Sequence, residues 1–294
     1  LRSVPGGVQD SLPNRLHIYF ARVNDLRLVE INIIIDAGLS RENPDARGSA
    51  WALAQLLTGG NRNRTGEMVT TYLAEMGSTV IPYAHYDYSQ LYGRTLARNF
   101  SGTLAVMADG VVAPSLREQE LLALQRTSST GMQRLVSSGE RATVAAVRSL
   151  CGEDHVLTRY VLPAPEDIGK LTTGQLADFH AKWYRPSRTT VIVTGSVDYR
   201  FVRTAVIEAF GGWQPASTGP ALRASIDAPD VIADGSQEIV RLLAEDETPN
   251  GLAYFRLGVR APLRGDDRFI PAILLNTILG EGTESRLRRM FWGR

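Results

Sequence analysis

The sequence predicts an α+β protein in which an antiparallel or mixed sheet is packed with helices, arranged as two such domains in tandem. Apolar and polar residues alternate from Val29 to Asp36, which is typical of a half-buried strand. The run from Gly48 to Gly60, GSAWALAQLLTGG, has the apolar spacing of a helix and ends in two glycines. The order strand, turn, strand, helix and glycine in residues 16–60 returns from Glu238 to Gly282, which indicates an internal duplication.

The elements around this helix follow from local patterns. A short strand is predicted from Leu16 to Ala21, followed by the alternating strand from Leu26 to Ala37. A second helix is expected from Thr65 to Met76. The segment from Thr79 to Leu96 is rich in tyrosine and β-branched residues, so it is predicted to be one strand broken near Asp87 or a pair of strands.

Two later helices are predicted from their capping residues. Ser115 and Glu118 have the spacing of a capping box, which predicts a helix through about Leu135. Thr172 and Gln175 have the same spacing and predict a second helix. The apolar face of that helix carries three residues, Leu176, Phe179 and Trp183.

The domain bounds follow from composition. The first domain is predicted over residues 1–215, and a linker rich in Pro, Ala, Ser, Gly and Asp over 216–236. Residues 237–294 are predicted to begin a second domain with two strands and a helix, at Glu238 to Ala244, Leu252 to Ala261 and Phe269 to Leu279. Because this copy is much shorter than the first, we expect an incomplete second domain, as in a fragment or a truncated product.

Composition limits the class of function. The chain has 294 residues, 44% of them hydrophobic, with a formal net charge of +1, which disfavours a nucleic-acid binder. Cys151 is the only cysteine, so neither an internal disulfide nor a thiolate metal site is expected. No apolar run reaches the length of a membrane span, and residues 1–16 lack the pattern of a signal peptide.

The helix of residues 48–60, taken alone, is typical of a core helix, yet it also resembles the zinc-binding helix of the M16 (insulinase-like, pitrilysin-type) metallopeptidases, G-x-x-H-x-x-E-H-x-L-x-x-G. Trp51, Ala54 and Gln55 stand where that family has its first His, its Glu and its second His. Residues at these spacings share one helical face, so the family's side chains can hold Zn²⁺ and activate its water. An indole, a methyl group and a neutral amide cannot hold Zn²⁺ in this way, so no zinc is expected in this helix.

The resemblance extends along nearly the whole chain and is densest from Asp154 to Asp198. In the family a Glu on the long helix is the third zinc ligand, and the corresponding position here is Gln125 or Thr127. No acidic residue lies between Glu120 and Glu140, so this ligand is also missing.

Other candidate residues follow from the same resemblance. The family's edge strand binds extended peptide by main-chain pairing, which makes four residues a possible peptide-binding edge, Tyr83, His85, Tyr86 and Asp87. The alternative is that they lie on a solvated sheet face. Gly280 and Gly282 are a possible glycine-rich substrate loop. His180 is expected on a solvated helix face without a catalytic role. The family's Arg and Tyr pair is expected beyond Arg294.

The resemblance implies a non-catalytic subunit of a heteromeric M16 peptidase, which is inactive alone, contributes to a substrate chamber and binds unstructured peptides. Its partner would be a subunit that carries HxxEH and the zinc. The alternatives are an M16-derived scaffold without a proteolytic role and a peptidase with a displaced metal site. The sequence does not decide the cellular compartment, although a bacterial periplasm is favoured slightly over the cytoplasm.

Overall fold

A computed structural model describes residues 7–23, 27–61, 63–135, 165–214, 261–263 and 265–292. The chain divides into two compact units, Leu1–Asp227 and Ala228–Arg294, and each is described by itself. The linker predicted over 216–236, the strand predicted at Glu238 to Ala244 and nearly all of the strand predicted at Leu252 to Ala261 lie outside the described residues. The predicted domain bounds therefore stay a prediction.

The first unit contains a six-stranded mixed sheet. Its strands are β1 (Gly7–Ser11), β2 (His17–Arg22), β3 (Leu28–Ile35), β4 (Thr79–Ala84), β5 (Ser89–Leu96) and β6 (Thr189–Gly195). They lie in the order β1-β2-β6-β3-β5-β4. Only β2 and β6 pair in parallel, and every other neighbouring pair is antiparallel. The predicted α+β class with a mixed sheet is confirmed, and Thr79 to Leu96 is a pair of strands.

Seven α-helices are described in this unit and two in the other. The first seven are α1 (Ser49–Leu56), α2 (Gly66–Glu75), α3 (Phe100–Val112), α4 (Glu118–Leu135), α5 (Pro165–Lys170), α6 (Thr173–Trp183) and α7 (Tyr199–Phe210). The second unit contributes α8 (Phe269–Gly280) and α9 (Arg286–Trp292). None of the described helices has the length and apolarity that a membrane span requires.

The core lies between one face of the sheet and the helices. Four residues of β3 are fully buried, Val29, Ile31, Ile33 and Ile35, and the residues between them are half-exposed, as the alternation predicted. Helices α1, α3 and α7 contribute Leu53, Leu104 and Phe210 to the same core. The opposite face of the sheet carries polar and aromatic residues, such as Glu30 and Tyr92, whose carboxylate and hydroxyl are 2.9 Å apart.

The two capping predictions have different outcomes. At α6 the Thr172 hydroxyl accepts from the backbone N–H of Gln175 and the Gln175 side chain accepts from the backbone of Thr172, so this capping box is confirmed. The box predicted at Ser115 is wrong, because α4 begins at Glu118 and the Ser115 hydroxyl donates to the carboxylate of Glu120 instead. The backbone N–H of Ser115, which Glu118 would have to bind in such a box, donates to the carbonyl oxygen of Gly60 at 3.2 Å.

Candidate functional site

Helix α1 is held at its start by a buried carboxylate. Its N-cap, Gly48, has a φ of 86° and no side chain to cap the helix. Glu42, only 7% exposed, accepts from the backbone N–H groups of Gly48 and Ala50 at 2.9 and 2.8 Å. These bonds satisfy donors that a helix start leaves unpaired, and the negative charge is favourable at this end of the helix. The sequence pattern did not identify Glu42, because its partners lie six and eight residues away.

The three motif positions of α1 differ in burial. Six of its eight residues are buried, and the two half-buried ones are Trp51 and Gln55, one turn apart. Trp51 packs against the core, and Ala54 is 0% exposed. The two positions that would carry imidazoles are therefore partly accessible, whereas the position that would carry the carboxylate is enclosed.

Both candidates for a third ligand take part in hydrogen bonds. The side-chain N–H₂ of Gln125 donates to the carbonyl oxygens of Ile168 and Leu171 at 3.0 and 3.1 Å. The Thr127 hydroxyl donates to the carbonyls of Ala123 and Leu124 within its own helix. Gln125 thus joins α4 to the C-terminal end of α5, where a helix leaves carbonyls without helical partners.

Replacing Gln125 with glutamate is expected to lower the free energy of unfolding by about 1–2 kcal/mol, because an ionised acceptor would then face carbonyl acceptors. The matched control is Gln119→Glu at the exposed start of the same helix, where a negative charge should be neutral or slightly stabilising. Urea denaturation of both variants provides the comparison. Equal stability of the two would show that the α5 contact contributes nothing.

Strand β4 is the last strand of the described sheet, next to α1. It pairs with β5 on one side, and it contacts α1. Tyr83 lies in this strand and is 42% exposed. His85, Tyr86 and Asp87 follow the strand in the turn that leads to β5. Of the four residues predicted for the peptide-binding edge, the structure therefore places Tyr83 alone in the strand.

The turn after β4 is fixed to the segment before α1. The backbone N–H groups of Leu39 and Ser40 donate to the carbonyls of His85 and Tyr86 at 3.0 and 2.9 Å. The approach is so close that a Cβ on Gly38 would lie 2.4 Å from both carbonyl oxygens. These contacts set the position of the turn relative to α1.

The His85 ring is engaged by its neighbours. It packs 4.4 Å from the ring of Tyr88 and 5.9 Å from that of Tyr83, measured between centroids. Its Nε2 is 3.2 Å from Oε1 of Gln90. Within the part of the chain that the structure describes, no group of three or more His, Cys, Asp or Glu could hold a metal ion.

Two sequence models of one family match the chain. The model described as "Insulinase (Peptidase family M16)" matches residues 21–145, and the model described as "Peptidase M16 inactive domain" matches residues 170–290. Together they span both the α1 segment and the α6–β6 segment. The chain belongs to peptidase family M16.

Relatives in M16 are distant in sequence. An uncharacterized zinc protease of Streptomyces coelicolor is 26% identical over 283 residues, which are 94% of this chain and 60% of that protein. The mitochondrial-processing peptidase subunit beta of Saccharomyces cerevisiae is 23% identical over 222 residues, which are 74% of this chain and 47% of that protein. The chain therefore spans less than two thirds of the length of either relative.

Solved M16 structures share the fold. The peptidase M16 inactive domain from Pseudomonas fluorescens aligns over 98% of this chain and 68% of its own, with a TM-score of 0.75 and 18% identity. The first half of the periplasmic protease PqqL from Escherichia coli aligns over 75% of this chain and 49% of its own, with a TM-score of 0.69 and 18% identity. These likenesses support the fold only.

The zinc that a family of zinc proteases implies does not fit the residues of α1 and α4. Trp51, Ala54 and Gln55 offer neither an imidazole nor a carboxylate, and the amide of Gln125 is bonded to α5. No catalytic step through a metal can be assigned to these positions of this M16 chain.

His180 does not lie on a solvated face, and that prediction is wrong. Its Nε2 is 2.8 Å from the carbonyl oxygen of Val111 at the end of α3, and its ring lies 4.9 Å from that of Tyr184. Burial lowers the pKa of the imidazole, which favours the neutral ring as a donor to Val111. His180 therefore joins α6 to α3 in the packing of the domain.

A groove beside α6 was not identified from the sequence. It has a volume of about 490 Å³ and is lined by residues that include Asp45, Phe179, Lys182 and Trp183. The cationic groups of Arg41, Lys182 and Arg188 lie 5.2, 5.0 and 4.9 Å from the centroid of the Trp183 ring. Such cation–π contacts hold the indole in place, and the contact with Arg41 joins residues too far apart in the chain for a local pattern to reveal.

In the second unit, the two glycines of the possible substrate loop lie at the end of α8. Gly280 is the last residue of the helix, and Gly282 has a φ of 82°, a conformation that favours glycine. Their role in substrate binding stays a prediction.

Proposed function

We propose that this M16 chain is a non-catalytic subunit of a heteromeric metallopeptidase, which binds unstructured peptide along β4 and contributes a wall of the substrate chamber. The zinc is held by a partner subunit that carries HxxEH. The observation that carries the proposal is the combination of a well-formed α1 without metal ligands and an intact edge strand beside it.

Retention of α1 without ligands supports a role for the surface rather than the metal. Glu42 still caps the helix and Leu53 still fills the core, so the framework of the site is intact. Trp51 and Gln55 are half-buried, and the parts of the indole and the amide that remain accessible suit contact with a peptide more than with Zn²⁺.

The position of β4 supports the peptide-binding part. An edge strand offers unpaired main-chain donors and acceptors to an extended peptide, and this pairing depends little on side chains. The backbone bonds from Leu39 and Ser40 to the turn after β4 hold the end of this strand in place. A fixed edge binds a flexible peptide at a lower entropic cost than a mobile one.

The test combines this protein with an M16 subunit that carries HxxEH and is encoded by a reading frame adjacent to the one that encodes this protein. We expect one complex in size-exclusion chromatography, zinc only in the HxxEH subunit, and faster hydrolysis of an unstructured fluorogenic peptide by the complex than by that subunit alone. Absence of a complex would contradict the proposal. A complex without a gain in turnover would instead support the scaffold alternative.

A further inference from the structure

The main-chain groups on the two sides of β4 can be assigned from one hydrogen bond at the end of the strand. The backbone N–H of His85 donates to the carbonyl of Tyr88 at 2.8 Å. In an antiparallel pair, residues that exchange hydrogen bonds alternate with residues that do not. With the register of Tyr83 opposite Gln90, it follows that Tyr83 and Ile81 direct their N–H and C=O groups toward β5.

The intervening residues, Val80, Pro82 and Ala84, therefore direct their main-chain groups toward the side of β4 on which the described sheet has no further strand. Pro82 has no N–H. This side thus offers three carbonyl acceptors but only two donors, at Val80 and Ala84. The middle of the edge has an acceptor and no donor.

We infer that Pro82 lowers the affinity of the peptide-binding edge, because it removes the main-chain donor between Val80 and Ala84. This inference rests on the proposed function and adds to it a residue that limits peptide binding. A peptide in either orientation loses the same donor, so one of its carbonyls opposite the middle of β4 receives no bond from the strand. The strand donates to the peptide at Val80 and Ala84, and the Pro82 carbonyl can still accept from a peptide N–H.

Proline at an edge strand also has a structural explanation, because it discourages two edges from pairing and aggregating. That explanation and the inference make different predictions for peptide affinity. If Pro82 only prevents self-association, adding an N–H at this position should leave the affinity of a monomeric protein for a peptide unchanged. If the missing donor limits peptide binding, the added donor should strengthen binding.

The test is Pro82→Val, which adds the donor with little change in side-chain volume. The probe is a fluorescein-labelled, uncharged ten-residue peptide rich in Thr, Ser and Val, and its affinity is measured by anisotropy with protein shown to be monomeric by size-exclusion chromatography. We expect Pro82→Val to bind about fivefold more tightly than the original chain. The matched control is Thr79→Val, an exposed residue of the same strand whose main chain faces β5, and we expect no change there.

A second measurement does not depend on a protein variant. N-methylation of every peptide residue should abolish binding, whereas N-methylation of every second residue should preserve it, because one edge of the extended peptide then keeps its N–H groups for β4. Equal affinities of the original chain and Pro82→Val would overturn the inference while peptide binding stands. Failure of both proteins to bind the unmethylated peptide would overturn the inference and the proposed function together.

Discussion

Replacing Gly38 with alanine is expected to lower the free energy of unfolding by about 3 kcal/mol. The backbone of Gly38, with φ −109° and ψ −165°, is one that alanine adopts without strain. The cost arises because the new Cβ would lie 2.4 Å from the carbonyl oxygens of His85 and Tyr86 and 2.5 Å from the nitrogen of Tyr88. Neither carbonyl is a flexible side chain, so the turn after β4 has to move away.

The displacement of this turn should also break the backbone bonds from Leu39 and Ser40. Peptide binding at β4 should therefore weaken together with stability. The matched control is Gly174→Ala near the start of α6, where only the Thr172 hydroxyl lies within 4 Å, at 3.8 Å, so that stability should change by less than about 0.5 kcal/mol. Thermal and urea unfolding measure both variants, and similar values for the two would refute the close contact at Gly38.

Replacing Ala54 with glutamate is expected to cost about 3 kcal/mol or more, because the side chain at this position is fully enclosed. The matched control is Gln55→Glu, the next residue, which is half-buried and should lose less than about 1 kcal/mol. Circular dichroism during urea unfolding provides the comparison. A stable Ala54→Glu variant would show that this side of α1 still has room for the family's carboxylate.

The penalty at Ala54→Glu has a predictable pH dependence. Burial raises the pKa of a carboxyl group in the folded state, so the unfolded chain releases its proton at lower pH than the folded one. The loss of stability should be smallest below pH about 4.3, where the free side chain is neutral, and should grow as the pH rises above it. A penalty that is constant between pH 4 and pH 8 would contradict the burial of this group.

The burial of position 54 limits what restoration of the motif can achieve. The triple change Trp51→His, Ala54→Glu and Gln55→His introduces two half-buried imidazoles and one enclosed carboxylate, but no third ligand on α4. We expect no peptidase activity comparable to that of an HxxEH-bearing M16 enzyme. Hydrolysis of an unstructured peptide at such a rate would show that another group completes the metal site.

Local patterns predicted the parts of the fold that depend on neighbours in the chain. The alternation in β3 identified which of its residues are buried, and the spacing of Thr172 and Gln175 identified the start of α6. The pattern of Thr79 to Leu96 was compatible with one broken strand or a pair of strands. The structure has a turn at His85 to Tyr88 between two paired strands.

Contacts between distant residues could not be predicted in this way. Gln125 bonds to carbonyls 43 and 46 residues away, and His180 bonds to Val111 across 69 residues. A helical period shows which side of a helix is apolar, but it does not show which element packs against a polar residue on the boundary. His180 was therefore expected in solvent, although α3 lies against it.

Zinc content is the most direct test of the claim that this M16 chain has lost its metal site. The purified full chain is dialysed against a zinc-containing buffer, then against buffer alone, and its metal is measured by elemental analysis. The account predicts well under one zinc per chain, since Trp51, Ala54, Gln55 and Gln125 provide no ligand set. About one zinc per chain, retained after dialysis and lost when Trp51 or Gln55 is replaced by alanine, would contradict it.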